Sequence, residues 1–133
     1  TLISSVPPDS DLDRLVQITK GVNLKINVES LVEAYGYHAL CIVPVFFGGG
    51  SNVKLAEALL MGRKVVSSPF GAKGFEEWVE SGLVSVVYTS KDWQKEIERL
   101  LAEDWKATDF DSVREKFSLQ TWNQQLLTIL NEA

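Results

Sequence analysis

The sequence predicts an α/β fold: a doubly wound parallel sheet with helices on both faces, Rossmann-like in arrangement. Three observations carry this reading. Short apolar runs alternate with longer segments of helical periodicity along the chain, and strands joined through helices run parallel. The run from Ala39 to Phe47 is almost continuously apolar, as burial on both faces of a strand demands. That run then opens through a glycine corner straight into a helix.

Each element follows from local signals. Leu2 to Val6 reads as a strand, closed by Pro7-Pro8. Asp9 to Lys20 carries Leu12, Leu15, Val16 and Ile18 at helical spacing, with Asp9, Ser10 or Asp11 as cap. Val22 to Val28 alternates in period two and reads as a strand, and Glu29 to Tyr37 as a short amphipathic helix. The buried strand spans Leu40 to Val45 and the helix after the glycines Ser51 to Met61, with Gly62 as its C-terminal cap. Lys64 to Ser67 is the next strand, Gly71 to Gly74 a loop, and Phe75 to Ser81 a short helix. Leu83 to Tyr88 is a strand, and Lys91 to Ala102 a helix with Trp93, Ile97, Leu100 and Leu101. Asp111 to Leu130 reads as one long closing helix.

A length of 133 residues predicts one domain, 1–133, able to bury a core without staples. The net charge of −5, with no basic stripe, argues against nucleic acid as a partner. A single cysteine, Cys41, lies in an apolar strand, so no disulfide framework is expected and a reducing, cytoplasmic setting is. No apolar run is long enough for a membrane span and no signal peptide is evident. The chain starts at Thr1, directly in a strand-like segment, which points to a piece of a longer protein. Asp9, Asp11 and Asp13 match a calcium loop only in spacing and read as a helix start. His38 and Cys41 read as structural, and no metal is expected. Trp78, Trp93, Trp105 and Trp122 read as core or interface residues; Phe46 and Phe47 either border a ligand or pack in the core.

The stretch from Gly48 to Leu59 is the chemically informative one. The first N–H groups of a helix have no partner within it, so a glycine turn feeding a helix N-terminus is suited to hold an anion. Gly48, Gly49, Gly50, Ser51 and Asn52 form the turn, with Ser51 or Asn52 as N-cap. Lys54 falls in the first helical turn, where its charge opposes the helix dipole unless an anion sits nearby. Glu57 shares a helix edge with Lys54, and an ordinary surface pair is the competing account of the two. Neither a P-loop nor a dinucleotide fingerprint is present.

The run from Val43 to Phe75 resembles the C-terminal half of GT-B-type glycosyltransferases. Gly48, Gly50, Lys54, Glu57 and Ala58 match a Gly-x-Gly-x-x-x-Lys-x-x-Glu-Ala pattern of one branch. The resemblance implies a nucleotide-diphosphate-sugar donor, its distal phosphate on the amides of Gly49, Gly50, Ser51 and Asn52. It implies that Glu57 binds the ribose hydroxyls and Lys54 neutralises phosphate charge. Ile26 and Asn27 become weaker candidates for the base, and Lys64 and Lys73 for added charge near the phosphates or for solvated surface. No cofactor or metal is implied. Two departures follow: Gly49 stands where many retaining members carry a glutamate, and the segment before Val22 offers no arginine–lysine clamp. The acceptor-binding half, which usually supplies the base, would be a missing partner, with any peripheral membrane association running through it. The fragment alone is then not expected to be an enzyme. A nucleotide-sugar epimerase of the same fold and an inactive interaction module are the alternatives.

Overall fold

A computed structural model describes residues 1–4, 10–21, 23–48, 52–121 and 123–124. The expectations for Val6, Pro7-Pro8, Asp9, Val22, Trp122 and positions 125–130 lie outside the described residues. The chain falls into two compact units, Thr1–Tyr37 and His38–Ala133.

In the first unit, β1 (Leu2–Ser4) leads through α1 (Ser10–Ile18) to β2 (Leu24–Ile26), and α2 (Leu31–Gly36) follows. β1 and β2 pair in parallel, with Leu2 opposite Leu24 and Ser4 opposite Ile26. The second strand is shorter than the alternation predicts. It stops at Ile26 because Asn27 takes a left-handed φ of 50°, a conformation asparagine tolerates and an extended strand does not. α2 begins at Leu31, after Glu29, because Ser30 is its cap: the Glu33 N–H donates to Ser30 Oγ at 3.2 Å.

The second unit holds a parallel sheet of β3 (Leu40–Val43), β4 (Lys64–Ser67) and β5 (Val84–Val86), in that order. α3 (Val53–Leu60) connects β3 to β4, α4 (Glu76–Glu80) connects β4 to β5, and α5 (Ser90–Leu101) follows β5. Successive residues of a strand point to opposite faces, yet Val65 and Val66 of central β4 are both 0 % exposed. Both faces of the sheet are therefore covered, as the predicted α/β class requires. α5 covers one face, where Val66, Val87 and Leu100 form a cluster backed by Leu40, Trp93 and Ile97. α3 packs against β3 and β4 through fully buried Leu55, Ala58 and Leu59. Each of those leucines contributes roughly 1.5–3 kcal/mol by leaving water. Trp78 of α4 stacks on Phe117 with ring centroids 5.5 Å apart, and buried Phe75 tilts against it at 5.6 Å.

Helix ends follow the capping rules. α3 closes in a Schellman motif: the Gly62 N–H donates to Leu59 O and the Arg63 N–H to Ala58 O, with Gly62 at φ 67°. α5 opens one residue before the predicted Lys91, because Thr89 and Asp92 form a capping box. The predicted long helix from Asp111 is interrupted. A 3₁₀ turn (Ala107–Phe110) leads into α6 (Asp111–Lys116), which stops before Phe117. Ser118 starts a fresh turn by accepting the Thr121 N–H at 3.1 Å, and residues 119–121 and 123–124 are helical. Among the described residues no helix is long and apolar enough to cross a membrane.

Candidate functional site

Because β3, β4 and β5 are parallel, their carboxyl ends share one edge of the sheet, the edge where open α/β sheets bind ligands. Loop 44–52 leaves β3 there, loop 68–75 leaves β4 and residues 87–89 leave β5. Gly48 has φ 135°, accessible to glycine and not to a side-chain-bearing residue. Gly49, Gly50 and Ser51 lie outside the described residues. Asn52 occupies the N-cap of α3, and its carbonyl accepts the Leu55 N–H at 2.9 Å.

The Asn52 side chain does not cap the helix. Instead its amide Nδ2 donates across to Phe70 O at 3.3 Å, tying the turn after β3 to the loop after β4. Two buried serines reinforce the tie. Ser67 Oγ donates to Val43 O at 3.1 Å, and Ser68 Oγ donates to Val45 O while accepting the Gly71 N–H at 3.1 Å. Ser67 and Ser68 are 0 % exposed, so their hydroxyls satisfy carbonyls that water does not reach. The loop after β4 is in this way fixed to the end of β3.

Lys54 is exposed in the first turn of α3, and Glu57, one turn on, is half-buried. Half-buried Cys41 of β3 lies within reach of both: burial pushes its thiol up, and the Lys54 and Glu57 charges act on it in opposite senses. Lys54 and Glu57 are three residues apart within α3, a spacing that puts them along one edge of the helix. Phe46 and Phe47 are 64 % and 86 % exposed, which removes the core-packing alternative for both. Exposed Lys73 lies in the loop after β4 on this edge.

Lys64 does not. It opens β4 at the opposite end, where its ammonium is 3.0 Å from Glu103 and 5.7 Å from the Trp105 ring centroid. Neither a phosphate ligand nor a solvated lysine describes it; the charge is held by a carboxylate and an aromatic face. Ile26 ends β2 and Asn27 follows it, both in the first unit. Among the described residues no group of three or more His, Cys, Asp or Glu is placed to hold a metal ion.

The sequence places the stretch from Ser67 to Gly74 on this edge beside the glycine turn, but not the part Ser67, Ser68 and Gly71 play in tying the two loops together. A cue was present in the polar Ser-Ser-Pro that ends an otherwise apolar strand, since serines fully buried at a strand end must bond to something.

No curated protein and no solved structure matches the chain. The family model for "Glycosyl transferases group 1" matches residues 1–103, a span that includes the glycine turn, α3, the loop after β4 and all of α5. The chain therefore belongs to the glycosyl transferases group 1 family.

Proposed function

We propose that the chain is the donor-binding half of a GT-B-type glycosyltransferase and holds a nucleotide-diphosphate sugar at the turn between β3 and α3. The observation that carries the reading is the start of α3. It lies at the carboxyl edge of a parallel sheet, its N-cap side chain is drawn away to Phe70, and Lys54 sits in its first turn. An N-terminal turn not sealed by its own cap residue suits an anionic group, and an anion there offsets the conflict between the Lys54 charge and the helix dipole.

In this reading the amides of Gly49, Gly50, Ser51 and Asn52 receive the distal phosphate. Glu57, one turn along α3, accepts the two ribose hydroxyls, a charge-assisted arrangement that a single carboxylate satisfies with both oxygens. Transfer breaks the bond between the anomeric carbon and the phosphate oxygen, and the electron pair leaves with the diphosphate. Helix N–H groups and the Lys54 ammonium stabilise that growing negative charge, which lowers the barrier because they are aimed at charge that develops in the transition state. The acceptor hydroxyl and its base come from a partner half, and the reading involves no metal or cofactor.

Titrating the ¹⁵N-labelled chain with uridine, guanosine and adenosine mono- and diphosphates tests this directly. Diphosphates should bind several-fold more tightly than the matching monophosphates and shift the amides of Gly48, Asn52, Val53 and Lys54. Equal affinities, or shifts elsewhere, would remove the phosphate role of the turn.

A further inference from the structure

β5 ends its sheet, and its outer edge is open. The Val65 N–H donates to Leu83 O at 3.0 Å and the Val87 N–H to Ser67 O at 2.9 Å, with Ser85 opposite Val66 between them. Alternate residues of a strand bond to the same neighbour, so Leu83, Ser85 and Val87 serve β4. Val84 and Val86 turn their N–H and C=O groups the other way. β5 is last in the order β3-β4-β5, so among the described residues no strand receives them there. A groove of about 440 Å³ follows this edge, bounded by Val79 of α4 and by Asp92, Lys95, Glu96 and Arg99 of α5.

Free edges are ordinarily blunted by a charge, a proline or a bulge. Leu83 to Val87 has none of these: every residue but Ser85 is apolar, and the register with β4 is unbroken. Two features of the edge share a centre at Ser85. The outward groups of Val84 and Val86 lie one residue to either side of it. On the face that α5 covers, the Arg99 guanidinium lies 3.5 Å from Ser85 Oγ and pairs with Glu96 through Nε at 3.0 Å. A two-fold axis through Ser85 would set Val84 of one copy against Val86 of another, so that each outward N–H meets an outward carbonyl in antiparallel register. The same axis runs the two α5 helices head to tail and sets Glu96 against Arg99 of the other copy. Main chain and charges are thus self-complementary about one axis, which is what an isologous contact requires.

We infer that β5 is a docking strand for a second copy of this chain, joined antiparallel about a two-fold axis at Ser85 into one continuous sheet. Half-buried Val86 then packs beside Val84 of the other copy, since residues opposite each other share a face of the sheet. Antiparallel pairing points the carboxyl edges of the two sheets in opposite directions. Both edges stay free, and the inference does not rest on the donor reading.

Sedimentation velocity of the full chain, from micromolar to sub-millimolar concentration, should show a reversible monomer–dimer equilibrium. Val86→Pro removes an outward donor and no bond to β4, as proline on an edge strand permits, and should weaken association at least about tenfold. Glu96→Arg sets arginine against arginine across the axis, and Arg99→Glu sets glutamate against glutamate, so each alone should weaken association severalfold. An equimolar mixture of these two variants should restore it, because every facing pair is again opposite in sign. A Glu96–Arg99 pair acting only within one copy gives no such rescue, and this arm decides the matter even where the proline variant fails to fold. A chain that stays monomeric across the series would overturn the inference. A dimer that none of the variants weakens would use another face and overturn it too. Charge variants that weaken association without rescue in the mixture would remove the axis at Ser85.

Discussion

Gly71→Ala is the perturbation whose cost follows most directly from the geometry. A Cβ built at Gly71 falls 2.4 Å from Ser67 Oγ, 2.9 Å from Val43 O and 3.2 Å from Ser68 Oγ. Two of those distances are shorter than real Cβ contacts allow, and one neighbour is backbone, so the loop must shift. Overpacking of this kind costs roughly 1–3 kcal/mol. A shift also breaks the Ser67 Oγ–Val43 O bond, and although Val43 O still accepts the Ser68 N–H at 3.3 Å, loss of that one hydrogen bond adds about 1 kcal/mol. Taken together the two costs give an expected loss of about 2–4 kcal/mol. For a domain of this size that corresponds to a fall in Tm of roughly 6–12 °C. Thermal unfolding followed by circular dichroism reads it.

A second variant isolates the cause. Ser67→Ala removes the atom that the new Cβ meets first, at the expense of the Ser67 bond to Val43 O. In the double variant that clash is gone, so the two losses should fall short of additivity by about 1 kcal/mol. Strict additivity, or a Gly71→Ala protein melting within a degree or two of the parent, would mean the loop yields freely. The account of Ser67 and Gly71 as a tight junction between β3 and β4 would then be wrong.

Other outcomes follow from the same geometry. Lys54→Ala should weaken diphosphate binding and flatten its salt dependence, with Tm unchanged or slightly higher, since alanine is the better helix former and a charge opposing the dipole is lost; a Tm drop with unchanged affinity would make Lys54 structural. Glu57→Gln should weaken nucleoside diphosphates by about 1 kcal/mol and leave inorganic pyrophosphate alone, and equal losses for both would place Glu57 in the fold instead of the ribose site. The Arg99 guanidinium pairs with Glu96 at 2.5 Å and holds its carboxyl at about 2. A carboxyl lowered on folding stabilises above its unfolded value of about 4.3 and loses that contribution as pH falls toward 2. Glu96→Gln should therefore flatten the Tm–pH curve between those limits by only a degree or two, since the pair is partly exposed, and a wild-type slope there would show that the pair adds nothing.

The parts of the fold that the sequence made legible are those written in adjacent residues. Gly62 announces the end of α3 because only a left-handed residue closes a Schellman motif comfortably, and Lys64–Ser67 stands out because β4 is buried on both faces. Lys54 and Glu57 fall on a common side of α3 because helical periodicity alone decides it. Periodicity also misleads. From Asp111 onward the apolar spacing suits a helix throughout, yet Ser118 caps a new turn and Phe117 is held against Trp78, a residue 39 positions earlier. The partner of Lys64 was equally out of sight, since Glu103 is far along the chain. The ties from Ser67, Ser68 and Asn52 span eighteen to twenty-four positions, and no local rule names their acceptors.

Those same long-range ties bear on what the buried serines at the end of β4 do for the glycine turn. Glycine turns are entropically costly to hold in one geometry, because glycine has the most backbone freedom to lose. A turn that receives a phosphate must nonetheless present its N–H groups in fixed directions. In this chain the described flanks of the turn are held from outside it: Ser68 holds Val45 just before it, Asn52 is held by Phe70 just after it, and Gly71 lets the loop after β4 approach Val43 closely. In the donor reading proposed above, loop 68–75 acts by holding both flanks of the turn, Val45 and Asn52. On that reading Gly71→Ala is expected to weaken diphosphate binding as well as lower Tm, and unchanged diphosphate affinity in that variant would sever loop 68–75 from the site.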